Sequence, residues 1–139
     1  MAAAARDYSS ISPSALALLL TKSQTEIPFA KQAAALVYGN SAQSELEDTM
    51  KGGGANRNLK HFVKRYRSLD TLLKQAGLPR VLEIGAGLSF RGLELTRTTD
   101  TFYVDTDLPM IAELKAKLVQ QLHPGPLLGT LLVLSLIHI

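Results

Sequence analysis

Apolar residues in the first half of the chain recur at steps of three and four, and past Pro79 they gather into short unbroken runs. The first pattern predicts helices and the second strands. A helix is expected from Ser12-Pro13 through "SALALLLTK", with Ser12 as N-cap and Pro13 at the first helical position. A second runs from near Pro28 through "FAKQAAALVYG" and closes at Gly39. "SAQSELEDTM" reads as a third, short helix capped by Ser41, with Glu45 and Glu47 near its start. The consecutive glycines of "KGGGANRN", Lys51 to Asn58, predict a loop or hinge, because glycine gives up the most backbone entropy on ordering. A helix from about Leu59 to Ala76 follows. Its residues Leu59, Phe62, Val63, Tyr66, Leu69 and Leu73 form one stripe expected to be buried, and Gly77 and Pro79 end it.

The period then changes. "RVLEI" is a short strand, Gly85 to Gly87 a tight turn, and "SFRGLELTR" a helix capped by Ser89. "TFYV" is a second strand rich in β-formers, and Asp107 opens a helix that runs to Leu122. "GTLLVL" is a third strand. This β-α-β-α-β order predicts an α/β fold, Rossmann-like, with about three parallel strands preceded by N-terminal helices. Residues 1–57 are expected to form a helical cap with its glycine-rich loop, and 58–139 the sheet domain. The ending "LSLIHI" fits no expected element, so the tail from about 134 to 139, His138 included, is expected to be an appendage to a truncated chain. A parallel sheet this narrow leaves an edge and apolar faces uncovered, which predicts a marginal, aggregation-prone fold.

Composition removes several classes of function. The chain has 139 residues, about one domain, and 46% hydrophobic residues, enough for a core. Cysteine is absent, which excludes disulfides, thiolate metal sites and a cysteine nucleophile, and fits a reducing compartment. The net charge of +3 includes one cluster, Lys60, Lys64, Arg65 and Arg67, which reads as a solvated helix face. Only 6% of residues are aromatic and none is Trp, too few stacking platforms for a single-strand nucleic-acid binder. Arg6 and Asp7 stand where a signal peptide needs its apolar stretch. The runs Ala15 to Leu20 and Leu127 to Ile139 are too short to span a bilayer. The expectation is a soluble, cytoplasmic protein with neither nucleic-acid nor membrane partners. His61 and His123 have no partner at metal spacing, so no metal site is expected.

The chemistry concentrates in "VLEIGAGLSF", Val81 to Phe90. Gly85 and Gly87 follow a strand and precede a helix, where the lack of a Cβ permits a sharp turn and close approach of a ligand. Asp105 stands 18 positions after Gly87, at the end of the next strand, where a carboxylate can accept both ribose hydroxyls of a nucleoside. A dinucleotide site asks for a third glycine where Phe90 stands, and Glu83 would repel a pyrophosphate. Glu83 suits an ammonium or sulfonium group instead. A P-loop is excluded because no Gly-Lys-Ser/Thr follows.

"VLEIGAGLSFRGLELT" with "FYVDTDLPMIAELKAKLV" resembles the class I S-adenosylmethionine-dependent methyltransferases, within them the branch of leucine carboxyl and polyketide O-methyltransferases. "ISPSALALLLTKSQTEIPFAKQAAAL" and "RYRSLD" are similar to that branch too, so the resemblance reaches to about Thr130. It implies an O-methyltransferase acting on a carboxylate or hydroxyl of a small molecule or peptide, with S-adenosylmethionine as cofactor. Glu83, Gly85, Ala86 and Gly87 would line the cofactor's methionine and ribose side, and Asp105 would hold the ribose, with Asp107 as its alternative. Arg67 matches a family arginine that pairs with the cofactor's carboxylate; on the edge of the helical stripe, its head can reach a cleft beside the sheet. Phe90 replaces the usual proline, and the family's sheet has more strands than the three found here. A fragment that binds a nucleotide without turnover, and an NAD-linked oxidoreductase, are the competing readings.

Overall fold

The computed structural model describes residues 13–51 and 53–136, apart from the side chains of 49, 50, 53–57 and 59. Helices α1 (Pro13–Ser23), α2 (Ala30–Tyr38), α3 (Ala42–Lys51) and α4 (Gly53–Ala76) precede β1 (Arg80–Ile84), α5 (Arg91–Thr98), β2 (Phe102–Asp107), α6 (Pro109–Leu122) and β3 (Thr130–Ser135). The strands form a parallel sheet in the order β1-β2-β3, with Glu83 beside Asp105 and Asp105 beside Val133. The α/β class and the alternating order match the expectation.

α5 and α6 pack on the sheet face that carries Tyr103, Asp105 and Leu131, as two successive right-handed crossovers require. The packing there is close. A Cβ on Gly92 would lie 2.7 Å from the Tyr103 ring, so the small residue that lets helix meet strand is Gly92, and Phe90 is free to be large. Phe90 fills the core instead, together with Leu19, Leu20, Ala33, Leu46, Leu88, Leu93, Ile111, Leu114 and Leu118. Each of the leucine, isoleucine and phenylalanine side chains contributes about 1.5–3 kcal/mol by leaving water. That cluster joins α1–α3 to α5 and α6 in one continuous core, so the helices ahead of residue 52 form a third layer that shares its interior with the sheet domain. The opposite face of the sheet is bare: Leu82 is 59% and Ile84 70% exposed, and Phe102, Leu132 and Leu134 are exposed as well.

Several sequence expectations need correction. The glycine-rich stretch is not a loop throughout: α4 is helical from Gly53 onward, and Gly52 lies outside the described residues. Glycine costs a helix about 1 kcal/mol, a cost that a long, continuous α4 tolerates in its first turn. The stripe of α4 is not buried either. Phe62 and Leu69 are about half exposed at 48% and 51%, and only Val63, Tyr66, Asp70 and Leu73 turn partly inward among the described side chains. Ser41 does not cap α3, since its hydroxyl donates to the Tyr38 carbonyl at 2.7 Å. Asp107 is the last residue of β2, and Leu108 precedes α6, with Pro109 at its start. The third strand, expected over "GTLLVL", extends through Ser135, with Leu134 paired to Thr106 and Ser135 to Asp107. The expected cap Ser12, and His138, lie outside the described residues.

Candidate functional site

The turn between β1 and α5 is built as the glycines predict. Gly85 and Gly87 take φ of 68° and 56°, a region that costs other L-residues roughly 1–2 kcal/mol. β2 holds the turn from below: Ala86 N–H donates to the Thr106 carbonyl at 3.0 Å, and Gly87 N–H to Asp107 Oδ2 at 2.6 Å. The other Asp107 oxygen accepts Leu108 N–H at 2.7 Å. Ser89 N–H donates to the Ala86 carbonyl at 3.2 Å, and Arg91 N–H to Ser89 Oγ at 3.3 Å, so Ser89 still serves the start of α5. Four N–H groups of the turn and the start of α5, those of Ala86, Gly87, Ser89 and Arg91, are therefore engaged within the fold.

Above the turn lies a cavity of about 210 Å³ between α1, α4 and the β1–α5 loop. Its polar lining is Lys22, Arg65, Tyr66, Glu83, Ser89 and Arg91, and its apolar walls include Leu18, Val63 and Leu69. Glu83 is clamped: Arg91 Nη1 donates to Oε1 at 2.6 Å and the Tyr103 hydroxyl to Oε2 at 2.6 Å. Burial, reinforced by Glu83, holds the Tyr103 phenol well above its ordinary range. Arg91 also pairs with Asp70 of α4 and lies 4.2 Å from the centre of the Tyr66 ring. Lys22 Nζ donates to the Leu88 carbonyl at 3.0 Å and sits 4.9 Å from the centre of the Tyr66 ring. Burial, with help from Lys115 and Arg91, lowers its pKa to about 8. An ammonium has three donors, and one of them is used on the Leu88 carbonyl, so Lys22 retains capacity for an anion. With Arg65 and Arg91 against Glu83, the lining carries more positive than negative charge.

The expected site residues thus fall in different places. Glu83 and Ala86 line the cavity, whereas Gly85 and Gly87 flank Ala86 in the turn and are not part of the lining. Asp107 lies at the turn with both oxygens engaged. Asp105 is shut away: it is 1% exposed and its carboxylate pairs with the equally buried Lys115 of α6. Arg67 is exposed and is not among the cavity's lining; Arg65 of the same helix is. The helical phase explains this, because Tyr66 faces inward and brings its sequence neighbours only to the rim. Lys22, Tyr66, Asp70, Arg91, Tyr103 and Lys115 were missed. For Lys22 a signal existed, since it follows the buried Leu19 by three positions and shares its helix face. Among the described residues no group of His, Asp or Glu is placed to hold a metal, and no helix is long and apolar enough to cross a membrane.

Compared with family models, curated proteins and solved structures, the chain matches none.

Proposed function

We propose that this chain is the cofactor-binding part of an S-adenosylmethionine-dependent O-methyltransferase that acts on a carboxylate or hydroxyl of a small molecule or peptide. The observation that carries the reading is the engaged turn: with Ala86, Gly87, Ser89 and Arg91 N–H groups all bonded internally, the glycine loop offers little to a pyrophosphate. Glu83 and Asp107 at the same turn add two acids where a phosphate would sit. A nucleoside without phosphate suits this loop better than NAD does.

The residues fit the amino-acid end of such a cofactor. Lys22 and Arg65 would meet its carboxylate, and the Glu83 oxygens keep lone pairs for its ammonium group beside Arg91 and Tyr103. Asp107 keeps two lone-pair sites for ribose hydroxyls, whereas Asp105 would first have to leave Lys115. The bound cofactor supplies a methyl group already activated by its sulfonium. The chain's part is alignment and exclusion of water, through the apolar walls of Leu18, Val63 and Leu69. A carboxylate acceptor would need no general base.

The role of Lys22 has a pH signature. Its pKa is lowered to about 8, so it is cationic at pH 7 and largely neutral at pH 9. Calorimetric titration with S-adenosylhomocysteine is expected to give about tenfold weaker binding at pH 9 than at pH 7, following the protonated fraction. Lys22→Met should bind weakly at both and remove most of that difference. Equal affinity of Lys22→Met and the parent chain at pH 7 would refute this assignment.

A further inference from the structure

We propose that α4 is a lid over the cavity, hinged at Gly77 and latched by Tyr66 and Asp70. The proposal rests on the preceding functional reading for the size of the ligand and for the choice of probe.

The cavity under α4 is about 210 Å³, below the ~300 Å³ at which pockets for drug-sized ligands begin. A nucleoside-sized ligand therefore needs a wall to move. Of the elements around the cavity, α1 is anchored by Leu19 and Leu20 in the core, and the β1–α5 loop by Leu88 and Phe90. α4 has no such anchor among its described side chains: none is fully buried, and Val63, Tyr66, Asp70 and Leu73 are the partly buried ones. Elements with little apolar burial open at the smallest free-energy cost.

Polar contacts hold α4 down instead. The Tyr66 hydroxyl pairs with Ser89 Oγ at 3.0 Å, while its ring receives Lys22 and Arg91. Burial raises the Tyr66 phenol to about 12, so it stays a neutral hydroxyl at physiological pH. Asp70, one turn along, pairs with Arg91 Nε. Both contacts end on residues that line the cavity, so a ligand engaging Lys22 or Arg91 competes with the latch. At its C-terminal end α4 stops at Gly77, whose φ of 57° is one that glycine adopts at little cost, so the backbone angles can change there.

Tyr66→Phe/Asp70→Asn removes the hydroxyl and the carboxylate yet leaves Arg91 paired with Glu83, so no buried charge is orphaned. The chain has no cysteine, so spin labels at Lys64→Cys on α4 and Gln120→Cys on α6, both exposed positions, report one distance. Electron–electron resonance is expected to show one narrow distance with the latch intact, and a second, longer one in the double variant. Association of S-adenosylhomocysteine should be about tenfold faster in that variant, as for loss of a partly buried ion pair. An unchanged distance distribution in a variant that melts cooperatively would overturn the lid. A second distance without any binding of the probe would uphold the lid and count against the methyltransferase reading.

Discussion

Lys115→Ala is expected to cost about 3–5 kcal/mol, a large share of the roughly 5–15 kcal/mol that keeps an ordinary domain folded. Lys115 and Asp105 are each 1% exposed and paired across the α6–β2 interface, and beyond that pair neither Asp105 oxygen nor Lys115 Nζ has a hydrogen-bond partner among the described residues. Truncating the lysine leaves a carboxylate buried beside Glu83 and Asp107. Burial already raises the Asp105 pKa to about 6, against the pull of Lys115, and removing that pull raises it further. A folded-state pKa above the unfolded value means that stability is greatest at low pH and is lost as pH rises through the folded pKa. The defect should therefore be smaller at pH 5 than at pH 7.5 in urea titrations. The double variant Lys115→Met/Asp105→Asn should recover more than half of the loss, because an apolar stem and a neutral amide replace two buried charges. A loss under 1 kcal/mol at pH 7.5 would show that the pair does not hold α6 to the sheet.

Gly129→Ala comes next in expected effect, with a melting temperature lower by about 10 °C. A Cβ there would overlap the Thr101 carbonyl oxygen and lie 2.7 Å from the Thr101 nitrogen and 2.8 Å from the Thr99 carbonyl. All of these are backbone atoms, so no side chain can turn aside. The same residue launches β3: Gly129 N–H donates to the Thr96 carbonyl at 2.8 Å, and Thr130 N–H to Thr101 at 2.9 Å. Relief of the overlap therefore pulls β3 away from β2. Differential scanning calorimetry measures it directly, and a shift below about 2 °C would mean that the approach is looser than the geometry implies.

The elements past Pro79 were legible because short β-rich runs alternate there with helical periods. Gly85 and Gly87 were readable as a pair because only glycine takes their φ cheaply. Three features were not legible. The helical start of α4 at Gly53 defied local propensity, which weighs each glycine alone and cannot see what the rest of a long helix supports. The exposure of Phe62 and Leu69 was hidden because an apolar stripe states that a face can be buried, not that a partner covers it. Asp105 looked like a ribose ligand because its carboxylate was counted and its partner was not. Lys115 stands in the same stripe as Ile111, Leu114 and Leu118, and a lone lysine on an apolar face was the available sign of a buried counter-charge.

The central claim, a glycine turn suited to a phosphate-free adenosyl ligand, is tested most directly by titrating the chain with S-adenosylmethionine and, separately, with NAD, followed calorimetrically at pH 7. Saturable binding of S-adenosylmethionine, with NAD at least about 100-fold weaker, is the result that the engaged N–H groups and the acids of the turn predict. Tighter binding of NAD, or of both equally, would contradict it.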